Sequence, residues 1–176
     1  MLGATGAMCC FAACTGFGLM ARDRACERLA SLTAWCDGLE TMRLLLSMER
    51  LPMDGLLRES ACSVQEGGGA GLVRARLIKT AEHLTHEPSL TVADAYLHAC
   101  GQVRLSGEGA EERAALELLF KALGSGTAEM REKAVESCMK RLSLCQEKAR
   151  EKAERSGKLY AQLGALGGLA LGIALW

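Results

Sequence analysis

Two histidines are the residues best placed to do chemistry. His83 and His86 are three positions apart between Glu82 and Glu87, so a helix would put both imidazoles on one face. Imidazole and carboxylate groups can bind a metal ion, which would make the protein a membrane-tethered, metal-dependent enzyme. Two imidazoles at an exposed helix end are more often solvated polar residues, however. We favour that interpretation, and expect neither catalytic activity nor a cofactor.

Cysteine is the other candidate nucleophile and metal ligand. The chain has nine cysteines, an odd number, and no Cys-x-x-Cys motif. A disulfide framework or a zinc ribbon is therefore not indicated, and no cysteine has a clear histidine or basic partner in the sequence. Five cysteines fall at apolar positions of predicted helices and are expected to be small core residues: Cys36, Cys62, Cys100, Cys138 and Cys145.

A glycine-rich segment and the charge balance exclude two classes of partner. Residues 67–71 read Gly-Gly-Gly-Ala-Gly, but no Gly-Lys-Ser/Thr follows and no strand precedes, so we predict a flexible connector rather than a phosphate site. The 21 basic and 21 acidic side chains cancel, and aromatic residues make up only 4% of the chain. Nucleic-acid binding, which needs a basic surplus or stacking residues, is not expected. No feature indicates a small-molecule substrate.

The two ends of the chain carry no charge and predict membrane anchors. Every charged side chain lies between Arg22 and Lys158, so residues 1–21 and 159–176 are predicted transmembrane segments in contact with lipid. Basic residues flank both segments on the inner side, which predicts a cytoplasmic domain at residues 22–158. An alternative is a lipoprotein with an extracytoplasmic helical domain, because residues 11–14 loosely resemble a lipoprotein cleavage box.

The second anchor has a repeated glycine. Gly164, Gly168 and Gly172 recur every four residues, a spacing that lets another membrane helix approach closely. We predict a helix-packing face there. The alternative is a glycine-rich anchor without such a face.

Between the anchors, apolar residues recur at helical spacing and nowhere alternate as in a strand. The sequence predicts six helices: residues 22–50, 53–65, 72–86, 91–100, 110–123 and a last long helix capped by Thr127. Leu39 lies in the middle of the first apolar stripe, and Leu142 in a heptad-like seam of the last helix. The predicted fold is all-α, a six-helix bundle flanked by an N-terminal and a C-terminal transmembrane helix.

Several segments resemble the stage III sporulation protein AB family of endospore-forming bacteria. They are Leu-Glu-Thr at residues 39–41, Arg-Leu-Pro at 50–52, the turn at 124–127 and the run from Lys158 to Leu169. The likeness covers essentially the whole chain. The turn departs from the family pattern at Gly126 and Thr127, where a more acidic or Ser-Asp-like pair is expected.

The resemblance implies a function and partners. The family's soluble domain is similar to the cytoplasmic helical domains of type II secretion and type IV pilus platform proteins. The resemblance therefore implies that the protein is a platform or adaptor, without catalytic activity of its own, in a secretion-like channel between mother cell and forespore. The implied partners are a cytoplasmic ATPase and other membrane subunits. We expect partner contacts at exposed charged positions of the third and last helices: Arg74, Arg76, Arg131, Glu132 and Arg141.

Overall fold

A computed structural model describes the backbone of residues 2–48 and 51–174, with the side-chain environments of residues 23–48 and 51–152. The described residues form six helices and no strand, which confirms the all-α prediction. The helices are α1 (Leu2–Met48), α2 (Met53–Cys62), α3 (Gly68–His86), α4 (Val92–Gln102), α5 (Ala110–Ser125) and α6 (Ala128–Ala174).

The first and last helices are far longer than the others. Each has 47 residues, so neither predicted anchor is a separate helix; each is continuous with a helix of the bundle. The two helices are antiparallel neighbours. Gln146 donates a hydrogen bond to Thr33 (2.8 Å), and Cys36, further along α1, lies near the earlier α6 residue Cys138.

The membrane predictions concern residues whose side chains lie outside the described ranges, namely 1–21 and 159–176. Among the described residues, we find no helix that is both long enough and apolar enough to cross a bilayer.

The core contains buried side chains from all six helices, and its aromatic centre lies where α1, α4 and α5 meet. Tyr96 stacks on Phe120 with ring centroids 3.9 Å apart, and Trp35 meets both rings edge-on. Such contacts add to the stabilisation from buried apolar area. Leu39 and Leu142 are buried as predicted, and so is the α6 seam: Val135, Cys138, Cys145 and Ala149.

Two helix starts show how local chemistry sets the boundaries. Thr91 caps α4 as predicted, because its hydroxyl accepts a hydrogen bond from the backbone N–H of Asp94 (3.2 Å).

The predicted connector at residues 67–71 is wrong for most of its length, since α3 already begins at Gly68. Gly67 and Gly68 adopt positive φ angles of 117° and 50°, which glycine tolerates, and the helix follows directly.

Candidate functional site

Glu112, in the first turn of α5, reaches α1. Its side chain is only 5% exposed and pairs with Arg28, whose Nη2 and Nε both donate to Oε1, the latter at 3.1 Å. The other carboxylate oxygen accepts a hydrogen bond from the backbone N–H of Gly109 (2.9 Å). This back-bonding satisfies an N–H that the helix leaves free, at the helix end that favours negative charge. One carboxylate thus caps α5 and fastens α1 to it.

Glu111, the preceding residue, reaches α6 instead. Its carboxylate accepts from the Cys145 thiol at 3.8 Å and lies 3.5 Å from Lys148 Nζ. Consecutive helical residues point about 100° apart, so adjacent glutamates can contact two different neighbouring helices. The pair with Lys148 is exposed and contributes little by itself, whereas the Arg28–Glu112 pair, with a buried carboxylate and a partly exposed guanidinium, is the stronger restraint.

The start of α3 presses on the same part of α1. A Cβ added to Gly69 would lie 2.2 Å from the backbone carbonyl oxygen of Glu27 and 2.3 Å from Ser31 Oγ. Only glycine fits this contact without a shift of the backbone. We call the residues that fasten α1 and α6 to α3 and α5 the joint: Arg28, Ser31, Gly69, Glu111, Glu112, Cys145 and Lys148.

The joint lies close to the boundaries predicted for the cytoplasmic domain. Arg28 is six residues after Arg22, and Lys148 is ten residues before Lys158. Both long helices run from the joint towards the chain termini. The joint was not predicted from the sequence, because its contacts connect residues that are far apart along the chain. Its one sequence signal is the Glu-Glu pair at the start of a predicted helix.

The expectation that Arg76 is an exposed partner contact is wrong. Its side chain is 1% exposed; it forms an ion pair with Glu108 (2.7 Å) and donates to the carbonyl oxygen of Val103 at 3.0 and 3.2 Å. The Tyr96 ring also lies beneath its guanidinium, 5.9 Å away. These hydrogen bonds offset the cost of burying the charge, and burial raises the pKa of Tyr96. Arg76 therefore ties the segment between α4 and α5 to α3.

The other expected partner contacts lie on the surface to different degrees. Glu132 and Arg141 are exposed, Arg131 is half-buried, and Arg74 pairs with the exposed Glu66. As partner contacts, these positions stay predictions. The predicted packing glycines, Gly164, Gly168 and Gly172, lie outside the residues whose surroundings are described.

The sequence interpretation placed His83 and His86 together at an exposed helix end, but the structure pairs His83 with a histidine of another helix. His83 meets His98 of α4, with ring centroids 5.7 Å apart and planes near perpendicular, while His86 is exposed. Sequence spacing could not reveal His98, because it comes from another helix. Within the described part of the chain, no three or more histidine, cysteine, aspartate or glutamate residues are grouped so that they could hold a metal ion.

Most cysteines of the bundle are structural. Burial raises the pKa of Cys138 to about 12 and also raises the pKa of Cys36, Cys100 and Cys145, which favours the protonated thiols at neutral pH. The core assignment is confirmed for Cys138 and Cys145 but is wrong for Cys62, which is exposed; Cys36 and Cys100 are half-buried against the core.

An open groove lies between α5 and α6. Small side chains of both helices leave a hollow of about 150 Å³ there, lined by Ala115, Leu118, Leu119, Ala134, Ser137, Cys138 and Arg141. Leu118, at the edge of the groove, is 57% exposed. Leu144, seven positions after Ser137 on α6, is exposed to the same extent. The groove contains Arg141, one of the expected contacts.

Fold and joint together define a class of protein: an all-α bundle whose first and last helices are fastened at one end and continue towards both termini. The family model of stage III sporulation protein AB matches residues 3–176, so the chain belongs to that family and the resemblance seen in the sequence is confirmed. A solved structure described as "Stage III sporulation protein AB (SpoIIIAB)" has a similar fold. Its TM-score is 0.63 at 13% identity, over 73% of this chain and 97% of the other. A comparison with curated proteins found no match.

Proposed function

We propose that the chain is a non-enzymatic membrane platform or adaptor in a secretion-like channel between mother cell and forespore. Residues 1–21 and 159–176 are its membrane anchors, and residues 22–158 form a bundle on the cytoplasmic, mother-cell side. It binds a cytoplasmic ATPase and other membrane subunits, the latter through Gly164, Gly168 and Gly172. Membership of a sporulation family supports the role in sporulation; the mechanism is our inference.

The joint is the observation that supports an adaptor best. An adaptor has to transmit the position of a cytoplasmic partner to the membrane, and continuous helices do so better than flexible loops. Here both long helices are continuous across the joint: Glu112 fastens α1 to the first turn of α5, and α6 packs along α5, where Glu111 adds an exposed contact. A displacement of α5 would therefore move α1 and α6 together rather than separately.

Affinity purification of the tagged full-length chain from sporulating cells tests the proposal. The ATPase of the channel and its other membrane subunits should be recovered together in mild detergent. Replacing Gly168 by Ile should remove the membrane subunits but retain the ATPase, because a branched side chain prevents close helix packing. Ala170→Ile, half a turn away, is the matched control. Recovery of the membrane subunits without the ATPase would contradict the adaptor role.

A second test separates the adaptor from the metal-dependent enzyme. Replacing His83 and His86 together by Ala should leave spore formation unchanged, because neither imidazole takes part in binding in this proposal. Loss of spores in a variant that still accumulates in the membrane would refute a purely adaptor function.

A further inference from the structure

The indole N–H of Trp35 has no protein acceptor among the described residues. Trp35, on α1, is only 2% exposed, and its Nε1 atom is buried with no hydrogen-bond partner in that part of the chain. The indole N–H can only donate a hydrogen bond, and burying it without an acceptor costs free energy. Buried tryptophans usually find a partner for this group, so an acceptor is expected beside the ring.

A small cavity lies beside the indole ring, next to the joint. Its volume is about 10 Å³, close to the smallest space that can hold one water molecule, and too small for a cofactor or a metabolite. Its walls come from α1, from the segment between α4 and α5, and from α5. The lining residues are Arg28, Ser31, Leu32, Trp35, Leu105, Ser106, Glu108, Glu112 and Leu116.

Two carboxylates of the lining can accept from a bound molecule. The side chains of Glu108 and Glu112 are 7% and 5% exposed, and an ionised carboxylate offers about four lone-pair sites. Glu112 accepts from two nitrogens of Arg28 and from the Gly109 N–H, and Glu108 accepts from two nitrogens of Arg76. These hydrogen bonds leave at least one site on each carboxylate for a further donor.

We propose that the cavity binds one internal water molecule, which accepts a hydrogen bond from the Trp35 indole and donates to the carboxylate of Glu108 or Glu112. A water needs two to four polar partners at such a site, and the lining supplies them. The water links α1 to the start of α5 through a bridge that is nearly as favourable as a direct hydrogen bond. It is therefore a further component of the joint. The inference does not depend on the adaptor function.

The charges around the cavity favour water over a metal ion. The Arg28 guanidinium is part of the lining, and the indole offers a hydrogen, which repels a cation. Both carboxylates already form ion pairs, Glu112 with Arg28 and Glu108 with Arg76. A neutral molecule that both accepts and donates can satisfy these groups without adding charge. Ser106 of the lining is exposed, so water can enter from that side.

Water-selected NOE and ROE spectra of the full-length chain in detergent test the proposal. The chain has two tryptophans, so Trp176→Phe leaves a single indole N–H signal, that of Trp35. The expected result is a direct cross-peak between this proton and water, with the sign that marks a bound molecule. Replacing Ser31 and Ser106 together by Ala should retain the cross-peak, because its source is a water and not an exchanging hydroxyl of the lining.

Glutamine variants test which group accepts from the water. Glu108→Gln or Glu112→Gln should shift the Trp35 indole resonance, since hydrogen bonds in a chain polarise one another. Glu117→Gln, at an exposed position of the same helix, is the matched control and should leave the resonance in place. Circular dichroism verifies that each variant folds.

Three outcomes would overturn the proposal. The first is a folded protein without the water cross-peak, which would indicate that the indole N–H points at the ring of Tyr96 or Phe120 instead. The second is a cross-peak that disappears in the double serine variant. The third is an indole resonance that neither glutamine variant shifts. Affinity purification tests the adaptor function separately, so its result is unaffected by any of the three.

Discussion

The ion pair between Arg28 and Glu112 gives the sharpest test of the joint. Replacing Arg28 by Met keeps most of the apolar stem but removes the cation. The Glu112 carboxylate, 5% exposed, would then retain only the Gly109 N–H as a hydrogen-bond donor. Breaking a fully buried pair costs about 3–5 kcal/mol, but Arg28 is 30% exposed, so water can partly replace it. We therefore expect a loss of about 2–3 kcal/mol in the free energy of unfolding.

The double variant makes the prediction specific. In the wild-type background, Glu112→Gln should cost about 1–3 kcal/mol, because the amide has one acceptor oxygen and cannot accept from both Arg28 and the Gly109 N–H. In the Arg28→Met background, the same change should stabilise the protein, since it neutralises a buried, unpaired carboxylate. The sign of the Glu112→Gln effect thus reverses between the two backgrounds.

Thermal unfolding of the full-length chain in detergent, followed by circular dichroism, measures both effects. For a chain of this length, each kcal/mol shifts the melting temperature by roughly 2–4 °C, so Arg28→Met should lower it by roughly 4–12 °C. Arg24→Met, at an exposed position one turn earlier, is the control. If both single variants cost less than about 0.5 kcal/mol and their effects add, Glu112 is hydrated and the joint is not a restraint.

Three further predictions concern packing and reactivity. Gly69→Ala should destabilise the protein by about 1–3 kcal/mol in the same melting assay, because its Cβ would overlap the α1 backbone. Gly71→Ala, which has open space around it, should not destabilise the protein. Equal effects of the two changes would contradict the close contact at Gly69. Leu39→Ala should cost about 2–5 kcal/mol in denaturant titration, and an unchanged midpoint would show that α1 is not central. Iodoacetamide at pH 8 should alkylate the exposed Cys62 but not Cys138 in the folded protein. The pKa of about 12 for the Cys138 thiol leaves roughly one thiolate in ten thousand at that pH. Mass spectrometry of peptides measures the alkylation of each cysteine.

The helices and most of the core could be predicted from the sequence because helical periodicity is a local property. Leu39 and Leu142 are buried as their spacing indicated, and the Thr91 cap depends on a residue only three positions away. The family could also be identified, from short segments at 39–41 and 158–169 that keep their order along the chain.

The buried charges could not be predicted in the same way. Arg76 lies at helical spacing from Val73 and Thr80, on the buried face of α3, but a charged residue is normally assigned to the surface. Its burial depends on Glu108 and the Val103 carbonyl, which approach only after the segment between α4 and α5 has folded against α3. Gly69 is similar: its role is visible only when α3 packs on α1.

The joint also explains why two adjacent glutamates at a helix start have a structural use beyond favouring the helix dipole. A single acidic residue could cap α5 or hold one neighbour, but it could not hold two helices that lie on different sides. Because Glu111 and Glu112 point about 100° apart, one rigid turn contacts α6 and α1 together. The Gly109 N–H fixes the Glu112 carboxylate, so the position of α1 depends on the intact first turn of α5.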